Sequence, residues 1–120
     1  MKLENIPFVS IVIPTTGNVK FIKGLVESVS KLDYPKDKFE LILIGDEETE
    51  LLSLNSKRAK EYGIKTTVKY EPFAAGKKRN IGVELAKGEI IAFTDDDTIL
   101  KEDWISNAVR HLNDLSLIHI

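Results

Sequence analysis

Asp95, Asp96 and Asp97 stand in a row at the end of a short apolar run, Ile90-Ile91-Ala92-Phe93. Three adjacent carboxylates repel one another, and a fold gains nothing from that unless a cation sits among them. Mg²⁺ or Mn²⁺ favours carboxylate oxygens and accepts water and phosphate oxygens as its remaining ligands. In an open α/β sheet, ligands bind at the carboxyl ends of the strands. The acidic run therefore predicts a divalent metal held at a strand end to neutralise a phosphorylated substrate. The competing reading is a solvated turn, with Thr98 or Asp97 capping the next helix and Glu102 and Asp103 in its first turn.

Two other loops follow apolar runs and carry polar groups: Pro14-Thr15-Thr16-Gly17 and Gly45-Asp46-Glu47-Glu48. If the sheet is parallel, all three loops emerge at one edge and form a nucleotide crevice. Asp46 could accept hydrogen bonds from a base or ribose, or serve only as a turn residue. Lys77-Lys78-Arg79 opens a helix, where its cations reach a base carbonyl or phosphates, or merely begin a solvated helix. The phosphate-loop pattern Gly-x-x-x-x-Gly-Lys-Ser/Thr and the dinucleotide fingerprint are absent. That argues against ATPases and kinases of the P-loop kind and against nicotinamide enzymes.

The elements that position these loops alternate strand and helix. Phe8–Ile13 reads as a strand stopped by Pro14, and Phe21, Ile22, Leu25, Val26 and Val29 recur at helical spacing from about Asn18 to Leu32. Phe39–Ile44 is a second buried strand. Glu50–Tyr62 is a helix with Gly63 just past its end, and Ile64–Tyr70 is a third strand. A helix from about Gly76 to Ala86, the Ile90 strand and a helix marked by Trp104, Ile105, Ala108, Val109 and Leu112 complete the series. Repeated strand-helix-strand units predict an α/β domain with a mostly parallel sheet and helices on both faces.

Composition bounds the function. The 120 residues suffice for one domain or part of one, with 42% hydrophobic and 30% charged residues. A net charge of -2 argues against nucleic acid and against attraction to an anionic membrane. No cysteine is present, which removes thiolate metal sites and disulfides. The first residues lack the apolar region of a signal peptide, and no run approaches the length of a membrane span. A cytoplasmic domain is the expectation.

The last six residues, Leu115-Ser116-Leu117-Ile118-His119-Ile120, match the translation of a transposon-end adapter used in preparing sequencing libraries. The expectation is that residues 1–114 are native, that 115–120 are a non-native tail, and that the natural chain continues past Asp114. His119 then carries no function, and His111 is a solvated or dipole-favoured side chain near a helix end.

With these motifs in order, the chain resembles the inverting family 2 glycosyltransferases, whose Rossmann-like fold is called GT-A. The resemblance runs from about Val9 to Asp114. Val9–Thr15 is similar to the family's opening strand, whose end lies along the nucleotide, which brings in Pro14, Thr15 and Thr16. Phe39–Asp46 is similar to the strand ending in an acidic pair; Gly45 replaces the first acid and Asp46 matches the second, which contacts the base. Glu47-Glu48 stands where the family has Gly-Ser. Lys78-Arg79-Asn80-Ile81-Gly82 is similar to an Arg-Asn-x-Gly helix whose Arg approaches the base. Asp95-Asp96-Asp97 falls on the Asp-x-Asp metal motif.

The resemblance implies that Asp97 ligates Mg²⁺ or Mn²⁺ and that Asp95 faces ribose or metal-bound water, with Asp96 able to share either role. It implies transfer of a sugar from a nucleoside diphosphate sugar, with uridine the expected base, to the hydroxyl of a sugar, glycan or lipid-linked glycan, with inversion. The catalytic base would be a carboxylate in a later segment that no stretch here matches. Lys31-Leu32-Asp33-Tyr34-Pro35 is reminiscent of polymer-making, membrane-anchored members, consistent with cell-envelope polysaccharide synthesis at the cytoplasmic face. Two alternatives stand beside this: a nucleotide-binding module without activity, and a Mg²⁺-dependent phosphatase of the haloacid dehalogenase type. The phosphatase motif needs Thr or Val where Ile99 stands, and normally sits on the first strand.

Overall fold

The computed structural model describes residues 6–15, 22–46, 50–72, 75–110 and 118–119. Its strands are β1 (Val9–Pro14), β2 (Phe39–Gly45), β3 (Lys65–Tyr70), β4 (Ile90–Phe93) and β5 (Ile118–His119); its helices are α1 (Ile22–Ser30), α2 (Glu50–Glu61), α3 (Ala75–Leu85) and α4 (Trp104–Arg110). All strands pair in parallel in the order β3-β2-β1-β4-β5. The expected parallel α/β sheet is therefore present. β5 falls in the segment that sequence reading set apart as a tail, and Ile118 and His119 pair there with Ile90 and Ile91.

Alternate residues of each central strand feed two cores. Val9, Ile11 and Ile13 of β1 join Phe39, Leu41 and Leu43 of β2 and Ile90 and Ala92 of β4 beneath apolar residues of α1, α2 and α4. Val12, Ile42, Ile44 and Ile91 face the other way, against Ile81, Val83 and Ala86 at α3 and beyond its end. Strands buried on both faces read as continuous apolar runs, which is why β1 and β2 are so legible. β3 differs because it is an edge: Thr66, Val68 and Tyr70 are half-buried while Lys65, Thr67 and Lys69 are exposed.

Two glycines have defined work. Gly63 ends α2 with φ of 83°, and the pair of bonds Gly63 N–H to Lys60 C=O and Ile64 N–H to Ala59 C=O closes a Schellman cap. Gly88 lies where a Cβ would come within 2.7 Å of the Ser10 backbone nitrogen and 2.8 Å of the Phe8 carbonyl oxygen. Backbone on both sides cannot yield, so Gly88→Ala should cost about 1–3 kcal/mol by overpacking. Urea unfolding checks this; an unchanged midpoint would mean the α3–β4 turn shifts freely. The same turn is fastened by polar bonds: Gly88 N–H donates to Ser10 Oγ at 2.8 Å, Lys87 N–H to Glu40 Oε2 at 2.8 Å, and Ser10 Oγ donates to Glu40 at 2.6 Å.

Tyr34, at the break after α1, donates its hydroxyl to the Pro7 carbonyl. Burial, and then the charge of Glu89, push its phenol from 10.0 up to about 12. Between those values the folded chain keeps a proton that the unfolded chain has released. Stability from this group is intact below pH 10 and is lost as pH rises toward 12. Tyr34→Phe should flatten the fall of the urea midpoint across that window relative to wild type; parallel curves would refute the assignment.

Among the described residues no helix is long and apolar enough to cross a membrane.

Candidate functional site

The strand order reverses beside β1. β1, β2 and β3 succeed one another in one direction, and β4 then pairs on the opposite side of β1. Such a reversal opens a crevice outside the carboxyl ends of the strands, since the flanking loops part to opposite faces. The ends are level: Pro14 pairs with Ile44, Val12 pairs with Phe93, Thr15 N–H donates to Ile44 C=O at 2.8 Å and Thr94 N–H to Val12 C=O at 3.2 Å. The carboxyl ends of β1, β2 and β4 thus share one edge, and two strand spacings separate the β2 end from the β4 end by about 10 Å.

At the β4 end, Asp95 and Asp97 are exposed and Asp96 is half-buried. Thr98 N–H donates back to Asp95 C=O at 3.3 Å, folding the acidic run into a turn. The helix-cap reading of Asp97 and Thr98 is corrected here: α4 begins only at Trp104, because residues 99–103 are tied elsewhere. Leu100 N–H donates to Ser28 Oγ at 3.0 Å, and Glu102 C=O accepts from Asp33 N–H at 2.7 Å. These bonds fasten the far end of the acidic loop to the end of α1.

A cavity of about 470 Å³ opens directly against this loop, lined by Arg79, Phe93, Asp95, Thr98, Ile99 and Trp104 among others. Arg79 and Asp95 thus line the same cavity. A larger depression of about 940 Å³ lies between α1 and residues 99–103, and none of the predicted site residues lines it.

At the β1 and β2 ends the polar groups turn inward. Pro14 and Thr15 are buried; the Thr15 hydroxyl donates to Ile44 C=O at 3.4 Å and its carbonyl accepts from Lys78 Nζ at 2.7 Å. Lys78 is wholly buried and ion-paired with Asp46, whose side chain stays 39% exposed. Lys78 and Arg79 are neighbours in sequence, but Lys78, one turn before Gly82, is buried toward the sheet while Arg79, about 100° round the helix, is exposed. Gly82 seats α3 on the sheet; a Cβ there would lie 2.3 Å from Val12 Cγ1. Thr16, Glu47 and Glu48 lie outside the described residues.

Among the described residues no three His, Cys, Asp or Glu side chains converge on a metal position. Mg²⁺ is commonly held by one or two carboxylates together with substrate phosphates. Two exposed carboxylates on one turn, beside an arginine-lined cavity, fit that kind of site. Trp104 and Ile99 were missed as lining residues. Trp104 reads as core at helical spacing, whereas the available signal was Ile99, an apolar residue two positions past the acidic run, which proves exposed.

The profile of Glycosyl transferase family 2 matches residues 10–118. Poly(ribitol-phosphate) beta-N-acetylglucosaminyltransferase TarS of Staphylococcus aureus (strain Mu50) is 29% identical over 115 residues, 91% of this chain and 20% of TarS. Glycosyltransferase AglE of Haloferax volcanii is 26% identical over 92% of this chain and 37% of its own length. This chain thus spans about a fifth to just over a third of those relatives. The crystal structure of S. aureus TarS 1-349 in complex with UDP superposes with a TM-score of 0.75 at 25% identity, covering 86% of this chain and 31% of that one. Mannosyltransferase PcManGT from Pyrobaculum calidifontis, in complex with GDP-Man and Mn²⁺, superposes at 0.78 with 27% identity, covering 90% and 33%.

Proposed function

This chain belongs to Glycosyl transferase family 2, and from that premise we propose that its crevice binds the nucleoside diphosphate sugar of an inverting, metal-dependent transfer to an acceptor hydroxyl. The observation that carries the reading is the placement of Asp95–Asp97 at the β4 end, at the topological switch point, against a cavity that Arg79 lines. Family membership displaces the phosphatase alternative.

In this reading the nucleotide lies across the sheet edge, its base toward Asp46 at the β2 end and its diphosphate toward Asp97 at the β4 end. The separation of about 10 Å between those ends suits a nucleoside diphosphate. Pro14 and Thr15 form the floor between them from backbone and buried side chain. A divalent cation bound at Asp97, with Asp95 beside it, would neutralise charge building on the leaving diphosphate. Arg79 adds a fixed positive charge at the same place without needing a cofactor. The acceptor oxygen attacks the anomeric carbon from the face opposite the diphosphate, and the bond from that carbon to the phosphate oxygen breaks. The acceptor's proton goes to a general base, for which the described residues offer no assigned group. Nearby Trp104, Phe93 and Ile99 give the cavity an apolar wall on which a sugar face or an acceptor can rest.

Relatives complexed with UDP, UDP-GlcNAc and GDP-Man support a nucleotide-sugar donor, and the Mn²⁺ in one of them supports the metal. Thermal unfolding with UDP or GDP tests the reading. A rise in midpoint that requires Mn²⁺ is expected. A rise that ignores Mn²⁺ would count against the acidic turn, and no rise with either nucleotide would count against the donor site.

A further inference from the structure

β3 is the outer strand of the sheet, and no described strand lies beyond it. An edge strand turns a row of backbone N–H and C=O groups away from its neighbour, ready to pair with another chain. Proteins commonly blunt such an edge by shortening it, by proline or by a bulge. β3 shows none of these: it is as long as the interior strand β1, contains no proline, and keeps an unbroken register with β2 from Lys65 to Tyr70. What marks this edge is charge.

On one face of β3, Lys65 and Lys69 are exposed with Thr67 between them. On the other, a groove of about 350 Å³ runs between α2 and β3, with half-buried Val68 and Tyr70 on its floor and exposed Lys57 and Lys60 along its rim. Among the described residues no carboxylate lines that groove, and none of the four lysines forms an ion pair. In a chain whose net charge is -2, four cations without a neutralising partner therefore gather along one strand edge. We infer that the β3 edge accepts an extended acidic segment of another protein as an added strand. Its main chain bonds to β3, its carboxylates lie on the Lys65 and Lys69 face, and its apolar side chains lie over Val68 and Tyr70.

Charge decides which strand can enter. In strand addition the main-chain bonds supply affinity and the alternating side chains supply selectivity. Exposed ion pairs are weak one by one, so the lysines choose the partner more than they hold it. A second copy presenting its own β3 would set lysine against lysine, and like charges directly opposite one another destabilise a pair. A neutral apolar strand could cover Val68 and Tyr70, but it would strip water from the lysines and return nothing. An acidic strand with apolar residues at alternate positions satisfies both faces, because successive side chains point to opposite sides. The edge lies on the far side of β2 and β1 from the acidic turn at β4, so the inference stands apart from the crevice.

Titration with a capped six-residue peptide alternating glutamate and valine, followed through the amide resonances of the protein, tests this. Shifts should concentrate in β3 and in α2 around Lys57 and Lys60, and should saturate with a Kd below about 1 mM. The same peptide with lysine in place of glutamate should bind at least about tenfold more weakly. A variant carrying Lys65→Glu and Lys69→Glu should reverse that preference. If this variant does not fold, a fully N-methylated glutamate–valine peptide answers on wild type. It keeps the charges, loses the main-chain donors, and should bind at least about tenfold more weakly than its parent. Equal binding of the methylated peptide would make the edge a general anion surface and overturn strand addition. Absence of β3 shifts with the parent peptide would overturn the site altogether.

Discussion

Asp97→Asn abolishes the Mn²⁺-dependent stabilisation by UDP, a loss of about 2.7 kcal/mol when the nucleotide is present at a hundredfold its Kd. The side chain is exposed and lies on a turn whose one backbone bond runs from Thr98 to Asp95. An exposed position of that sort tolerates substitution within about 0.5 kcal/mol in the absence of ligand. Relief of repulsion from Asp95 and Asp96 acts in the favourable direction. The two effects therefore separate cleanly: an unchanged or slightly raised midpoint without ligand, and no further rise with UDP and Mn²⁺. Asp95→Asn should weaken the metal-dependent rise without removing it. If Asp97→Asn keeps the full rise, the cation is not held by this turn.

Asp46→Ala acts the other way, lowering stability with or without ligand. It leaves the Lys78 ammonium buried against the Thr15 carbonyl, 2.7 Å away. Breaking a buried ion pair from one side costs about 3–5 kcal/mol. The lower end applies, because Asp46 is open enough for water to replace part of what is lost. For a domain of this size about 3 kcal/mol lowers the melting point by roughly 10 °C or more. Adding Lys78→Met should recover much of the loss, since the charge that suffered is then gone. Urea unfolding of the single and double variants reads this directly. A cost below about 1 kcal/mol with no recovery in the double variant would mean that the pair contributes little.

Much of the sheet could be read in advance because its central strands are buried on both faces. β1, β2 and β4 appear as apolar runs broken only by Ser10 and Glu40, and they end at the candidate site, where polar residues begin. The acidic turn and Asp46 were legible for the same reason. The facing of Lys78 was harder. A basic triplet offers three cations at consecutive helical positions, and which one turns inward depends on the seat of the helix. That seat is set by Gly82, whose missing side chain is an unremarkable letter in a sequence yet determines how closely α3 approaches Val12. The helix that Trp104 and Ile105 mark in the sequence begins at Trp104, and only the competing reading, with Asp97 or Thr98 as its cap, is overturned. The bonds from Leu100 to Ser28 and from Asp33 to Glu102 hold residues 99–103 outside the helix. Thr15 was expected at the nucleotide, but the polar groups described for it face Ile44 and Lys78.

The strand order has a consequence for how the chain reaches its folded state. β1, β2 and β3 pair through short crossovers, so their contacts form between segments near in sequence. β4 reaches β1 across α1, β2, α2, β3 and α3, Val9 pairing with Ile90. Contacts between distant segments carry the larger loop-closure cost and form late. The crevice is bounded by that long-range pair, so it is complete only once β4 has docked on β1. A nucleotide gripping both the β2 and β4 ends would then act as a clasp on the slowest seam of the domain. Amide exchange in β4 should slow more on ligand binding than exchange in β3.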